Sequence, residues 1–263
     1  MIENYCARLS GRFLHVWKRN LKVYRKTWKI SFIPPILEPL LYLFAFGTGL
    51  GSLVGEIEIN GISISYIQFI APALIAINMM YNAFFENTYS SFVRMYYQKT
   101  FDAQLATPLS IEEVITGEIF WGATKSTIAT AIMAGIISIF GIIRYPSGLL
   151  LLPLSFLGGL ALGAIAMFFT ALVPNIETFN LPMFLFVTPM FLFSGTFFPL
   201  ENLPLWAQRA ANLFPLTHLV KLSRFFSIGI PEPGFLPSIS YLVLFTILFF
   251  IIALSMMRRR LIK

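Results

Sequence analysis

"FLFSGTFFPLENLPLWAQRAANLFPLTHLVKLSR", residues 191–224, begins as an apolar run fit for a bilayer, breaks at Pro199, and resumes as an amphipathic stretch. A spanning helix needs about 20 consecutive apolar residues, and the resumed stretch reaches that length only if its prolines and charges are ignored. Leu205, Trp206, Ala210 and Leu213 fall near one helical face after Pro204, and the segment following Pro215 repeats the arrangement. Two short helices meeting at Pro215 can dip into a leaflet and leave it with their backbone hydrogen bonds satisfied, which an irregular loop cannot do. Gln208, Arg209, Lys221 and Arg224 then reach headgroup level by snorkelling. Residues 199–235 are therefore expected as a re-entrant or interfacial hairpin, not a further span.

The rest of the chain agrees with a membrane setting. Of 263 residues, 57% are hydrophobic, with 28 Phe against 12 Asp plus Glu, and 16 Pro and 17 Gly sit largely inside apolar runs. The net charge of +7 does not describe a nucleic-acid groove: eight of the nineteen basic residues lie between Arg8 and Lys29, and four more in the last six positions. These clusters flank spans, as the positive-inside rule requires, and suit contact with membrane lipids. Cys6 is the single cysteine, which excludes an internal disulfide and says nothing of compartment. No secretory signal is expected, because the basic segment is too long and aromatic for one and no small-residue cleavage site follows.

Hydropathy predicts an all-α integral membrane protein with six spans, at about 32–53, 65–85, 114–143, 149–172, 178–198 and 236–257. Residues 8–29 interleave Phe13, Leu14, Trp17, Leu21, Tyr24 and Trp28 with Arg and Lys, a pattern predicting a helix on the cytoplasmic interface. "GEIEING" at 55–61 lacks Lys and Arg and reads as external. Six spans put both termini on one side, and the two basic clusters make that side the cytoplasm of a multi-pass inner-membrane protein. The loop near 94–118 is the weak member: Arg94 and Lys99 mark it as internal, while Asp102, Glu112, Glu113 and Glu118 count little toward topology. No polar stretch is long enough for a soluble core and no internal repeat is found, so residues 1–263 are expected as one domain.

Ordered motifs carry a resemblance. Ser194, Gly195, Phe198, Pro199, Leu203, Pro204, Pro215, Leu216, Thr217, His218 and Arg224 match the segment before the last span in type 2 ABC export permeases, and resemble most the nodulation lipo-oligosaccharide export permease group. "WKRNLKVYRKTW" (17–28), "EPLLYLFAFGTGLG" (38–51), "FENTYSSFVRM" (85–95), "ATKS" (123–126), "FFTALVPNIETFN" (168–180) and "RRRLIK" (258–263) follow in the family's order. The resemblance implies the membrane half of an exporter, in which two permease chains pair as a homodimer and two separate ATPase chains bind beneath, carrying ATP and Mg. This chain has no G-x-x-x-x-G-K-[ST] sequence and no Gly-Lys pair, so it lacks the usual phosphate cradle; it is expected to be no enzyme and to bind no cofactor itself. A coupling helix in the first internal loop maps to 97–110. There Phe101 and Leu105, one turn apart, are expected to fill a groove of the ATPase, with Lys99 and Asp102 on a polar rim. The bland reading is a solvated loop folded against its own bundle.

Single residues carry further expectations. Glu38, beside Pro39 in the first span, must pair with an interfacial base, line a substrate path, or meet an aqueous cavity, because an isolated carboxylate in a membrane is costly. Glu86 and Arg94 are expected in a polar network at a cytoplasmic gate, and Lys125 either snorkels or pairs with Glu86 or Glu118. His218 has no metal-ligand set around it and is expected to close the external hairpin by hydrogen bonds or to touch a substrate headgroup. Ser194 and Gly195 suit close packing or a kink. The aromatic residues Phe84, Phe85, Phe184, Phe186, Phe191, Phe193, Phe197 and Phe198 face lipid and bundle core, or line a seam between copies where they stack on sugars and acyl chains. A membrane enzyme would need clustered Asp, Glu or His at one depth, and none is found; a secondary transporter would need an inverted repeat; an assembly factor stays open. The substrate is read as amphipathic or hydrophobic: a lipo-oligosaccharide, a polysaccharide or a drug.

Overall fold

The computed structural model describes residues 10–59, 61–231 and 234–262; Cys6 and Arg8 lie outside them. Helix α1 (Phe13–Ser31) buries Val16 and Asn20 and leaves Lys18, Lys22, Arg25, Lys26 and Lys29 exposed. Its inward face meets one short patch of a later helix: Phe13 stacks on Phe120 at 5.0 Å, Tyr24 on Trp121 at 5.5 Å, and Trp17 Nε1 donates to Thr124 Oγ1 at 2.9 Å. Contacts spread along three turns of α1 thus fall on about one turn of its partner, so the helices cross.

Helix α2 (Ile33–Phe44) starts on prolines, whose missing N–H groups are orphans at that position anyway, and continues through π-helical Ala45–Leu50 into Gly51–Val54. A hairpin follows, β1 (Glu56–Ile59) against β2 (Ile62–Ser65), antiparallel with Ile57 opposite Ile64. Those two isoleucines rest on the core while Glu56 and Glu58 are exposed, the alternation a two-residue period dictates. Helix α3 (Tyr66–Phe85) does not stop where the polar sequence begins. It runs on through π-helical turns at Glu86–Ser90 and Val93–Tyr97, giving a 32-residue helix from Tyr66 to Tyr97.

Short α4 (Thr100–Leu105) leads to α5 (Ile111–Ile139). The start of α5 is fixed by a reciprocal cap: Ser110 Oγ accepts from Glu113 N at 3.2 Å, and Glu113 Oε2 accepts from Ser110 N at 2.9 Å. A 3₁₀ turn at Ser147–Leu150 opens α6 (Leu151–Leu172). The next apolar helix, α7 (Glu177–Phe193), is interrupted by a π-helical turn at Met183–Val187. Pro182 and Pro189 flank that turn and cannot donate, which explains the break. Helices α8 (Leu205–Ala211), α9 (Pro215–Ile228) and α10 (Phe235–Leu261) complete the chain.

The chain is an almost wholly helical, multi-pass membrane protein. Among the described residues, four helices are long and apolar enough to cross a bilayer: Tyr66–Tyr97, Ile111–Ile139, Ser147–Leu172 and Phe235–Leu261. Helix α6 packs against α5 and α10, and α3 against α5, α6 and α9. Small residues let α6 come close: a Cβ on Gly159 would lie 2.6 Å from Ala123 Cα of α5. Gly159→Leu is expected to cost about 1–3 kcal/mol or more, since backbone cannot yield as a side chain can. Gly135→Leu, on the same helix pair's open side with nothing within 4 Å, is the control and should melt like the parent in detergent.

The buried residues gather in two clusters. One joins α3, α9 and the start of α10 through residues such as Phe69, Ile77, Leu219 and Leu242. The other joins α1, α4, the start of α5 and the ends of α3, α6 and α10 through Val16, Phe92, Phe101, Ile115 and Met257. Arg260 strengthens this end by donating to the Val173 carbonyl at 2.6 Å and to that of Thr170, two orphan acceptors at the C-terminus of α6.

Candidate functional site

Glu118, Trp121 and Lys125 recur at spacings of three and four and so share one face of α5. That face meets the π-helical end of α3. Arg94 Nη1 pairs with Glu86 Oε1 at 2.7 Å, Arg94 Nε donates to Glu118 Oε2 at 2.9 Å, and Lys125 Nζ pairs with Glu86 Oε2 at 2.8 Å. Trp121 Nε1 also donates to Glu86 at 3.0 Å; Ser91 Oγ and Asn20 Nδ2 each donate to Glu118 at 2.8 Å. Glu86 and Glu118 are 4% and 0% exposed, so each carboxylate depends on these donors for what water would supply. The network therefore ties α1, α3 and α5 into one junction, and separating them requires water to enter.

Sequence reading found Glu86, Arg94 and Lys125 but gave Glu118 only the role of a possible partner for Lys125, and it missed Asn20, Ser91 and Trp121. The spacing on α5 was the available signal; Asn20 comes from almost a hundred residues away and left none. The π-helical turns at Glu86–Ser90 and Val93–Tyr97 coincide with this junction, as such turns often do with functional positions. The polar stretch expected as an internal loop is helical here because its charges are neutralised in place.

At the same end, Lys99 adopts φ 52° and turns the chain into α4. Phe101 is corrected by the structure: it is 0% exposed and packs in the chain's own core, so it is not available to fill a partner's groove. Leu105 is half-buried against the same cluster. The physical reason is the π-helical end of α3, which leads α4 back beneath the bundle with Phe101 inward and Lys99, Asp102, Ala103, Ala106 and Thr107 outward. Tyr96 and Tyr97 are exposed beside them, and Lys99 lies 5.4 Å above the Tyr96 ring.

The opposite end holds the remaining residues. Leu205, Trp206 and Leu213 of the α8 segment are exposed at 70–75%, while Ala207 and Ala211 face inward. By contrast α9 is no amphipathic surface helix; most of it, from Pro215 to Val220 and at Leu222, Ser223 and Phe226, is buried. His218 Nε2 donates to the Asn212 carbonyl at 3.0 Å, Nδ1 lies 3.1 Å from Ser238 Oγ, and the ring stacks on Tyr241 at 4.2 Å. Burial lowers the imidazole pKa, partly opposed by the Asn212 bond and aided by Lys221, so the neutral ring joins α8, α9 and α10. Arg224 donates to the Gly195 carbonyl at 2.7 Å and the Phe69 carbonyl at 3.2 Å, with its guanidinium carbon 3.8 Å from the Phe69 ring centroid. Gly195 has φ 72°, which favours glycine, and Ser194 beside it is buried. Pro199, Pro204 and Pro215 stand at the starts of the helical turns they precede or open.

Glu38 faces Asn78 of α3, yet the Asn78 amide makes no well-formed hydrogen bond. Among the described residues Glu38 has no ion pair, so the interfacial pairing expected for it is not seen. The aromatic residues divide: Phe84 is fully buried, Phe85, Phe184 and Phe193 are exposed at 38%, 72% and 43%, and Phe191 packs on Tyr81 at 6.2 Å and on Phe197 at 5.1 Å.

An apolar helical bundle with an ion-tied junction at one end, and a short helix beside that junction, is the architecture of a polytopic membrane protein. Residues 11–228 match the family model described as ABC-2 type transporter. The chain is 33% identical over 266 residues to nodulation protein J of Sinorhizobium fredii (strain NBRC 101917 / NGR234), covering 100% of both chains. It is 34% identical to nodulation protein J of Rhizobium leguminosarum bv. trifolii, over 97% of this chain and 95% of that one. It is also 26% identical to the inner membrane transport permease YadH of Escherichia coli (strain K12), over 93% of each. The chain belongs to the ABC-2 type transporter family: it is a membrane permease, and that membership implies an ABC ATPase partner.

Proposed function

We propose that this permease is the membrane half of an ATP-driven exporter, with six spans, both termini in the cytoplasm of an inner membrane, and the Glu86–Arg94–Glu118–Lys125 junction at the inner face. The first and fifth spans in this count are the interrupted helices α2 and α7. Two copies pair, and two ATPase chains, which bind ATP and Mg, dock below α1 and α4 as separate subunits that carry the hydrolysis. The observation that carries the reading is the placement of exposed α4 directly beside a buried ionic junction that joins α1, α3 and α5. Closure of the ATPases pushes α4, and the push reaches the spans through that junction. At the other face, α8, α9 and their connections over 199–235 form a hairpin held by His218 and Arg224, which acts as a lid over the exit.

The cargo is an amphipathic molecule, a lipo-oligosaccharide by resemblance to the nodulation permeases. Phe85, Phe184 and Phe193 are exposed on helices α3 and α7, where a second copy would convert them into a shared seam suited to sugar rings and acyl chains. The test is copurification from native lipid. A cytosolic chain with a G-x-x-x-x-G-K-[ST] sequence should accompany the permease at equal copy number and hydrolyse Mg-ATP faster when bound. Recovery of intact permease with no ATPase would end this reading.

A further inference from the structure

Between α1 and the adjoining ends of α3 and α5 lies a cavity of about 390 Å³, within the range of about 300–1,000 Å³ that small-ligand sites occupy. Tyr24, Tyr89 and Trp121 line it together with Arg19, Arg94 and Lys125. An open surface depression, lined by α1 alone, shares Arg19 and Val23 with it and is bordered by the exposed Lys18, Lys22 and Lys26. Cationic groups thus lead along α1 to a partly aromatic chamber.

The charges in that chamber do not balance. Arg94 and Lys125 are matched by Glu86 and Glu118. Arg19 is not: its guanidinium rests on Asn20 Oδ1 at 2.9 Å and Thr100 Oγ1 at 3.4 Å, both neutral, and among the described residues no carboxylate lies within ion-pair distance. Burial lowers its pKa, Glu118 opposes that from a distance, and the like charge of Arg94 adds to it. A half-buried guanidinium facing an open chamber with no counter-ion of its own is suited to a phosphate-type anion, which it can grip with two parallel N–H bonds.

We propose that this cavity holds the phosphate or sulfate group of an amphiphile, with Arg19 as its counter-ion and the Tyr24 and Trp121 rings against its polar backbone or sugar. The proposal rests on the exporter reading only in placing α1 at the inner face, and binding is measured on the permease alone, so a missing ATPase leaves it standing. The full chain in detergent micelles is titrated with dioleoylphosphatidylglycerol and, separately, dioleoylphosphatidylcholine, and bound lipid is counted by native mass spectrometry. Phosphatidylglycerol should bind more tightly, and Arg19→Gln should weaken it at least about tenfold, the loss expected of a charge-assisted pair.

Arg19→Lys keeps the charge but loses the planar fork, and should weaken binding less than Arg19→Gln does. Arg25→Gln makes the same charge change on the same helix outside the cavity and the depression beside it, and should behave like the parent. Thr27→Trp fills the chamber without altering charge and should abolish binding, which keeps the test decisive if Arg19→Gln does not fold. Inorganic phosphate as competitor separates the sources: competition at millimolar concentration assigns the site to a soluble phosphate-bearing molecule, and its failure assigns it to a lipid. Equal losses in Arg19→Gln and Arg25→Gln, undiminished binding in Thr27→Trp, or equal binding of the two lipids would overturn the proposal.

Discussion

Arg94→Ala is expected to cost the permease about 3–5 kcal/mol and to open its inner end, because it leaves two carboxylates buried with too few donors. Glu118 would keep only Asn20 and Ser91, both neutral, and Glu86 would keep Lys125 and Trp121. The larger part of the loss therefore falls on Glu118, which is wholly buried. Glu118→Gln removes that charge, so the double variant Arg94→Ala, Glu118→Gln should lose less than the sum of the two single changes. Thermal melting of the four proteins in one detergent gives this coupling directly. Additive losses would mean that Arg94 and Glu118 stabilise the bundle independently, and the junction would not be a unit. In the intact exporter the same variants should hydrolyse ATP without transport, since the push from α4 would no longer reach α5.

Phe101→Ala should be nearly as damaging for a different reason. A fully buried phenylalanine leaves a cavity that the surrounding helices cannot fill, at a cost of about 3–5 kcal/mol. Ala103→Glu changes an outward position of the same short helix and should leave the melting curve within about 0.5 kcal/mol of the parent. Their effects on ATPase binding should invert. Ala103→Glu places a carboxylate on the exposed face beside Tyr96 and Tyr97 and should weaken the complex at least about tenfold. Phe101→Ala protein that is still folded at low temperature should bind normally. The opposite pattern, stable Phe101→Ala that fails to bind and Ala103→Glu that binds, would place Phe101 at the interface after all.

The two substitutions mark the limit of the sequence reading. A spacing of four on a six-residue helix puts Phe101 and Leu105 on one face but cannot say whether that face looks in or out. The continuation of α3 decides it. Likewise the alternation of "LTHLVKLSRFFS" reads as a half-buried surface helix, while α9 is covered on nearly all sides by α3, α6 and α10. Amphipathic periodicity identifies the polar face; it does not show that, on a largely enclosed helix, Lys221 stays at the rim while Arg224 is turned onto the Phe69 and Gly195 carbonyls.

By itself the sequence determined the class of solvent and the number and order of apolar segments. Transfer of long apolar runs into lipid is a large, additive term, and it is read from composition without knowing any neighbour. The same holds for the helix start at Pro215, which is set by backbone hydrogen bonding within a few residues. Only the tertiary structure decided which partner each charge found. Glu118 takes donors from the distant Asn20 of α1 and from Ser91 and Arg94 of α3, while Arg19, one residue before Asn20, is left without a carboxylate within ion-pair distance. Burial makes such pairings strong, and burial is a property of the packed bundle: it depends on small residues such as Gly159 letting α5 and α6 approach.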